Sequence, residues 1–138
     1  MQLYQYRAKV DRVVDGDTID VIFDLGFDIS YKSRVRLVGI NTPESRTRDL
    51  EEKALGLAAK DFVGRWLVEH AGNHPIIETS LDKKGKFGRI LGEIIVDGVN
   101  INQLMVEQHM AVEYHGQSKQ SIEEEHLLNR KKLDGSSK

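Results

Sequence analysis

A sequence of 138 residues is long enough for one domain with a single core. Its composition, 39% apolar and 30% charged, fits a soluble globular protein, and the lack of cysteine excludes disulfides and thiolate metal sites. The net charge of −2 excludes a uniformly basic polyanion binder, yet residues 31–48 carry a local balance of +4 and residues 82–89 one of +3, leaving −9 elsewhere. Two such segments can form a phosphate-facing patch, although charge runs are as often solvated loops and strand edges. No apolar run is long enough for a signal segment or a membrane span, so with Met1 as the native start a cytoplasmic protein is expected.

From the N-terminus onward, residues 4–14 and 17–25 read as two strands joined at Asp15-Gly16, a tight hairpin signal. Ile19, Val21 and Phe23 share one face of the second strand, and the mostly polar Thr18, Asp20, Ile22 and Asp24 share the other. After a turn at 26–30, a third strand over 31–39 places Arg34 and Arg36 on one face and Val35 and Leu37 on the other. Pro43 ends it, and residues 41–48 form a loop. Asp49 with Glu52 three residues on signals a helix running to about His70. Its stripe of Leu55, Ala58, Ala59, Phe62, Val63, Trp66 and Leu67 is predicted to be core. Short strands follow at 75–79 and 90–96, separated by a Lys- and Gly-rich loop. Asn100 with Gln103 starts a second helix, and Ser121 with Glu124 a third, which reaches about Leu133. Residues 1–133 form one domain in this reading, and 134–138 a flexible tail. Three strands, a helix, two strands and two helices suggest a small mainly β barrel, most naturally a five-stranded oligonucleotide-binding (OB) fold with three helices; an α+β sandwich also fits this order.

Three short runs carry chemistry. Asp15-Gly16-Asp17-Thr18 puts two carboxylates two residues apart, the clustered oxygens that hard cations such as Ca²⁺ or Mg²⁺ take, although Asp-Gly is also an ordinary turn. Arg36 through Glu44 combines a guanidinium on a strand with Asn41, Thr42 and Glu44 in a proline-held loop. Arginine can grip phosphate with two parallel hydrogen bonds, and Glu44 can act as a base on water beside a metal. Lys86-Phe87-Gly88-Arg89 supplies a second arginine able to neutralise charge in phosphoryl transfer. Taken singly, each of these is more often an exposed strand-edge or loop residue. His70, His74, His109, His115 and His126 lack zinc spacing and read as helix-end or surface residues.

Together, Asp15-Gly16-Asp17-Thr18, Arg36-Leu37 through Thr42-Pro43-Glu44, Phe87-Gly88-Arg89 and the segment 102–111 resemble the staphylococcal nuclease (thermonuclease) family, in its order and with near-family spacing over about residues 8–115. The resemblance implies the same five-stranded OB barrel with three helices. It implies a Ca²⁺-dependent phosphodiesterase, with Mg²⁺ or Mn²⁺ as other candidates, that cleaves DNA or RNA with little sequence preference and uses no membrane. Metal ligands then fall on Asp17, Asn41 and the carbonyl of Thr42, with Asp15 in the metal's water shell. Catalytic roles fall on Arg36, Glu44 and Arg89, and nucleic-acid contacts on Lys83, Lys84 and Tyr114.

The sequence departs from the family pattern at Asn41, which stands where the family has an aspartate, so the site loses one negative charge and Ca²⁺ affinity is expected to fall. The family's nucleotide-stacking tyrosines are not matched cleanly: His115 and Gln117 fall near those places, with Tyr114 adjacent. The alternative expectation is a catalytically weak or inactive nucleic-acid-binding module on the same barrel.

Overall fold

In the computed structural model, which describes residues 4–71, 75–82 and 89–136, the elements run β1 (Gln5–Asp15), β2 (Thr18–Asp24), β3 (Ser30–Leu37), β4 (Ile40–Asn41), α1 (Leu50–Ala71), β5 (Ile76–Asp82), β6 (Arg89–Val96), β7 (Val99–Asn100), α2 (Ile101–Glu107), β8 (Val112–Glu113) and α3 (Lys119–Ser136). Strands pair in the order β3-β2-β1-β5-β6, and a parallel pairing of β3 with β6 closes the ring. The result is a five-stranded closed barrel with three helices, the OB-type architecture.

Alternation decides which residues fill it. Ile19, Val21 and Phe23 of β2, Val35 and Leu37 of β3, Ile77 of β5 and Ile94 of β6 are all buried. The intervening Asp20 and Arg34 face outward as a cross-strand pair: Arg34 Nε and Nη2 donate to the Asp20 carboxylate at 2.9 and 3.3 Å. That hydrogen-bonded guanidinium lowers the Asp20 pKa below the usual carboxylate value. α1 adds Ala59, Val63, Trp66 and Leu67 to the core, at the spacing of one helix face. Phe62 is half-buried at its margin, whereas Ala58, predicted in the same stripe, is exposed because it sits one residue round the helix from Ala59.

Local signals set most boundaries. Asp49 Oδ1 accepts from Glu51 N and Glu52 N (3.1 and 3.2 Å), so Asp49 caps α1 as its sequence suggests. Glu52 does not complete a capping box; its Oε1 accepts from Glu44 N at 3.5 Å. Asn100 Oδ1 caps α2 by accepting from Asn102 N and Gln103 N. The third predicted strand ends early, at Leu37, because Gly39 (φ 81°) turns the backbone before β4 pairs with β8. α3 starts at Lys119, not Ser121, and continues through 136. Residues 134–136, expected in a flexible tail, are thus helical: without proline, propagation adds one hydrogen bond per residue. Among the described residues no helix is long and apolar enough to cross a membrane.

The interior has no slack at Gly92, where an added Cβ would stand 2.8 Å from both Ile77 Cγ2 and Val35 Cγ1. Both neighbours are β-branched and cannot swing away. Gly92→Ala is expected to lower unfolding free energy by about 1–3 kcal/mol, measured by urea denaturation; an unchanged midpoint would contradict this packing.

Candidate active site

The cleft is organised around the β1–β2 turn. Asp17 Oδ2 accepts the backbone N–H of Thr42 at 3.1 Å, its Oδ1 accepts the Thr18 hydroxyl, and its main-chain carbonyl accepts Leu37 N at 2.8 Å. Asp15, two residues before, accepts from the hydroxyl of buried Ser45. Both carboxylates therefore meet the 42–45 segment.

Arg36 reaches the same place from β3. Its Nη1 donates to Leu37 O (2.7 Å) and Asp17 O (3.4 Å), and its Nη2 donates to Ile40 O (2.8 Å) and lies 3.4 Å from Asp17 Oδ2. The guanidinium thus braces the turn between β3 and β4, and much of its donor fork is committed to the protein. Phosphate would meet what remains of it.

Helix α1 holds the loop that carries Glu44. A Cβ on Gly56 would fall 2.5 Å from the backbone C and O of Glu44 and 2.7 Å from Pro43 O. Gly16 allows a similar approach, since its Cβ would lie 2.8 Å from Ala59 Cβ and 3.0 Å from Thr42 Cγ2. At Gly16 the requirement is space: its φ is not among the positive values. Glu44 itself is exposed at the cleft mouth.

The opposite wall comes from α3, a helix with no functional motif in its sequence. Lys119, Ile122, Glu123 and His126 line the cleft with Tyr114 and Gln117. His126 is not the surface residue expected: it is half-buried, and its Nε2 lies 2.7 Å from Asn41 Oδ1. Burial pushes its pKa below the ordinary histidine value, against the Glu52, Asp17 and Glu125 carboxylates, which raise it. No local pattern signals this contact, because 85 residues separate the partners.

The sequence-predicted residues Asp15, Asp17, Arg36, Asn41, Thr42, Glu44 and Tyr114 share this one cleft of about 540 Å³. Lys83 and Lys84 lie outside the described residues, as do the side-chain atoms of Arg89, whose backbone opens β6. Of the two predicted basic segments, 31–48 is split in space: Lys32 pairs with Asp11 (3.1 Å) and Arg34 with Asp20, while Arg36 and Arg46 line the cleft. His115 does not line it; Gln117 does, with its amide on Glu113 O and Glu125 Oε2.

Among the described residues, five carboxylates (Asp15, Asp17, Glu44, Glu52, Glu123) face three cationic groups (Arg36, Arg46, Lys119) here, a formal −2. The donor set suits a hard cation: carboxylates, the Asn41 carboxamide and the buried Thr42 hydroxyl, whose Oγ1 has no hydrogen-bond partner among the described residues. Among the described residues no three His, Asp or Glu stand close enough together to hold an ion alone. The arrangement therefore fits a cation whose shell is completed by water and a ligand phosphate, as with sites of one or two carboxylates.

The sequence profile of the staphylococcal nuclease homologue family matches residues 34–134. Endonuclease YhcR of Bacillus subtilis is 31% identical over 116 residues, covering 80% of this protein and 9% of that one. An uncharacterized endonuclease of Escherichia coli is 32% identical over 111 residues, covering 78% of this protein and 60% of its own length. Thermonuclease of Staphylococcus intermedius is 32% identical over 102 residues, covering 74% and 56%. The matched region thus spans less than two thirds of each of these relatives.

The burial of His126 carries a pH signature. Its folded pKa lies below its unfolded one, so at intermediate pH the unfolded state binds more protons. Stability should be complete above about pH 6.5 and fall as pH drops through the folded pKa. With chelator present, melting temperature is expected to fall from about pH 7.5 to about pH 5.5, and His126→Leu should remove part of that fall. An identical slope in the variant would contradict the assignment.

Proposed function

The protein belongs to the staphylococcal nuclease family, and from that premise we propose that it is a cation-assisted nuclease hydrolysing phosphodiester bonds of DNA or RNA with little sequence preference. The observation that carries the proposal is the convergence of Asp17, Arg36, Asn41, Thr42 and Glu44 on one acidic cleft. A net negative pocket repels phosphate unless a cation offsets it. The endonuclease and thermonuclease names of the relatives support the same reading.

In this mechanism Asp17, Asn41 and Thr42 would hold the cation, Ca²⁺ by preference, with Mg²⁺ or Mn²⁺ as substitutes. When bound, the ion supplies Lewis-acid polarisation of the phosphoryl group and offsets its charge. Asp15, held by Ser45, would orient water in the shell of a bound cation. Glu44, at the cleft mouth, takes a proton from the attacking water as its oxygen bonds to phosphorus and one ester P–O bond breaks, the leaving alkoxide taking its proton from solvent. Arg36 meets the developing charge with the donors its carbonyl contacts leave over, and Arg89 is the second cation in that role. Tyr114, 43% exposed on the rim, offers a ring on which a base can stack. Lys83 and Lys84 add phosphate contacts.

The test is to incubate the protein with labelled single-stranded DNA and RNA in Ca²⁺, Mg²⁺, Mn²⁺ or chelator. Cleavage should require a divalent cation and stop with chelator. Glu44→Gln should slow it by about 10²–10⁴-fold without changing the fold. Cleavage that persists in chelator, or that Glu44→Gln leaves intact, would refute the proposal.

A further inference from the structure

The replacement of a carboxylate by Asn41 raises an orientation problem. A carboxylate offers a cation two equivalent oxygens. A carboxamide offers one oxygen and one NH₂ group, so one of its two flipped orientations presents N–H bonds to the ion. The cleft contains a device that selects one orientation. His126 Nε2 lies 2.7 Å from Asn41 Oδ1; with its proton on Nε2 the ring donates, and an imidazole N–H can pair only with the oxygen. The oxygen keeps a second lone pair, and both residues line the same cleft.

The donor is itself fixed. On α3, Asn129 Nδ2 donates to Ala111 O (3.2 Å) and Arg130 Nη1 to Glu51 Oε2 (2.9 Å), which tie the helix to the segment before β8 and to α1. The acceptor is fixed as well, because Asn41 lies in β4 and pairs there with Val112 of β8. Neither partner needs to search for the other.

We propose that His126 is a positioning residue of the cation site, holding the Asn41 carboxamide so that its oxygen, not its nitrogen, is available to the ion. The proposal rests on the reading of Asp17, Asn41 and Thr42 as cation ligands. It assigns α3 a part in the chemistry and makes an uncharged ligand serviceable.

The two residues should be coupled in a way that a packing role would not produce. Ca²⁺ binding to the intact protein is measured by isothermal titration calorimetry, with circular dichroism melts to confirm folding. His126→Leu, which keeps bulk but removes the N–H, should weaken Ca²⁺ binding about 10-fold, the usual cost of losing an outer-shell partner. His126→Gln, which keeps an N–H donor, should restore most of the affinity. In the Asn41→Asp background, where both oxygens are equivalent, His126→Leu should change affinity by no more than about twofold. Equal losses in the two backgrounds would reduce His126 to a packing residue, and a gain in affinity would show that it competes with the ion; either overturns the proposal. If the wild type binds Ca²⁺ and the Leu variant matches it, this inference alone fails. If the wild type binds no Ca²⁺, the reading of the cation ligands fails and takes the inference with it.

Discussion

The Asp17 carboxylate is shared between the Thr42 amide and the Thr18 hydroxyl and lies against the Arg36 guanidinium, while its carbonyl accepts the Leu37 amide. These contacts join the β1–β2 turn to the end of β3 and to the segment that follows it. Asn41, Thr42 and Glu44 all lie on that segment, so their placement depends on this junction. α1 secures it from behind, since Gly16 and Gly56 let helix and loop backbones approach more closely than a Cβ would permit. Charge-assisted hydrogen bonds of this kind are among the stronger ones in a folded protein, which suits a junction that must hold ligands in register.

Electrostatics is the reason the proposed mechanism places an ion in the cleft. Among the described residues its carboxylates outnumber its cationic groups, and the barrel wall behind it is apolar. Fields are less screened in such a place than at an open surface, so a bare phosphate meets net repulsion. A hard cation reverses that sign locally and gives the oxygens something to coordinate. Arg36 is better understood here as part of the scaffold than as a free phosphate clamp, because carbonyls of residues 17, 37 and 40 take its N–H groups.

Much of this is legible in the sequence. The alternation of Ile19, Val21 and Phe23 against Asp20 and Ile22 fixes the inner face of β2, and the α1 stripe names Val63, Trp66 and Leu67 as core. The cluster of Asp17, Arg36 and Glu44 follows from motif order. Contacts that leave no periodic trace are not legible. β4 and β8 are two-residue strands, too short for any pattern. The pairing of Lys32 with Asp11 and Arg34 with Asp20 depends on strand register, so a basic run in sequence is not a basic patch in space. His126 meets Asn41 only because α3 folds back across the rim, and nothing in its neighbours announces it.

The most direct test of the cation-centred mechanism is to crystallise the protein with Mn²⁺ and locate the ion by anomalous scattering. The expected result is a peak in the cleft within bonding distance of an Asp17 carboxylate oxygen and Asn41 Oδ1. A cleft without a peak at saturating Mn²⁺, or an ion bound elsewhere while these oxygens keep only protein partners, would contradict it.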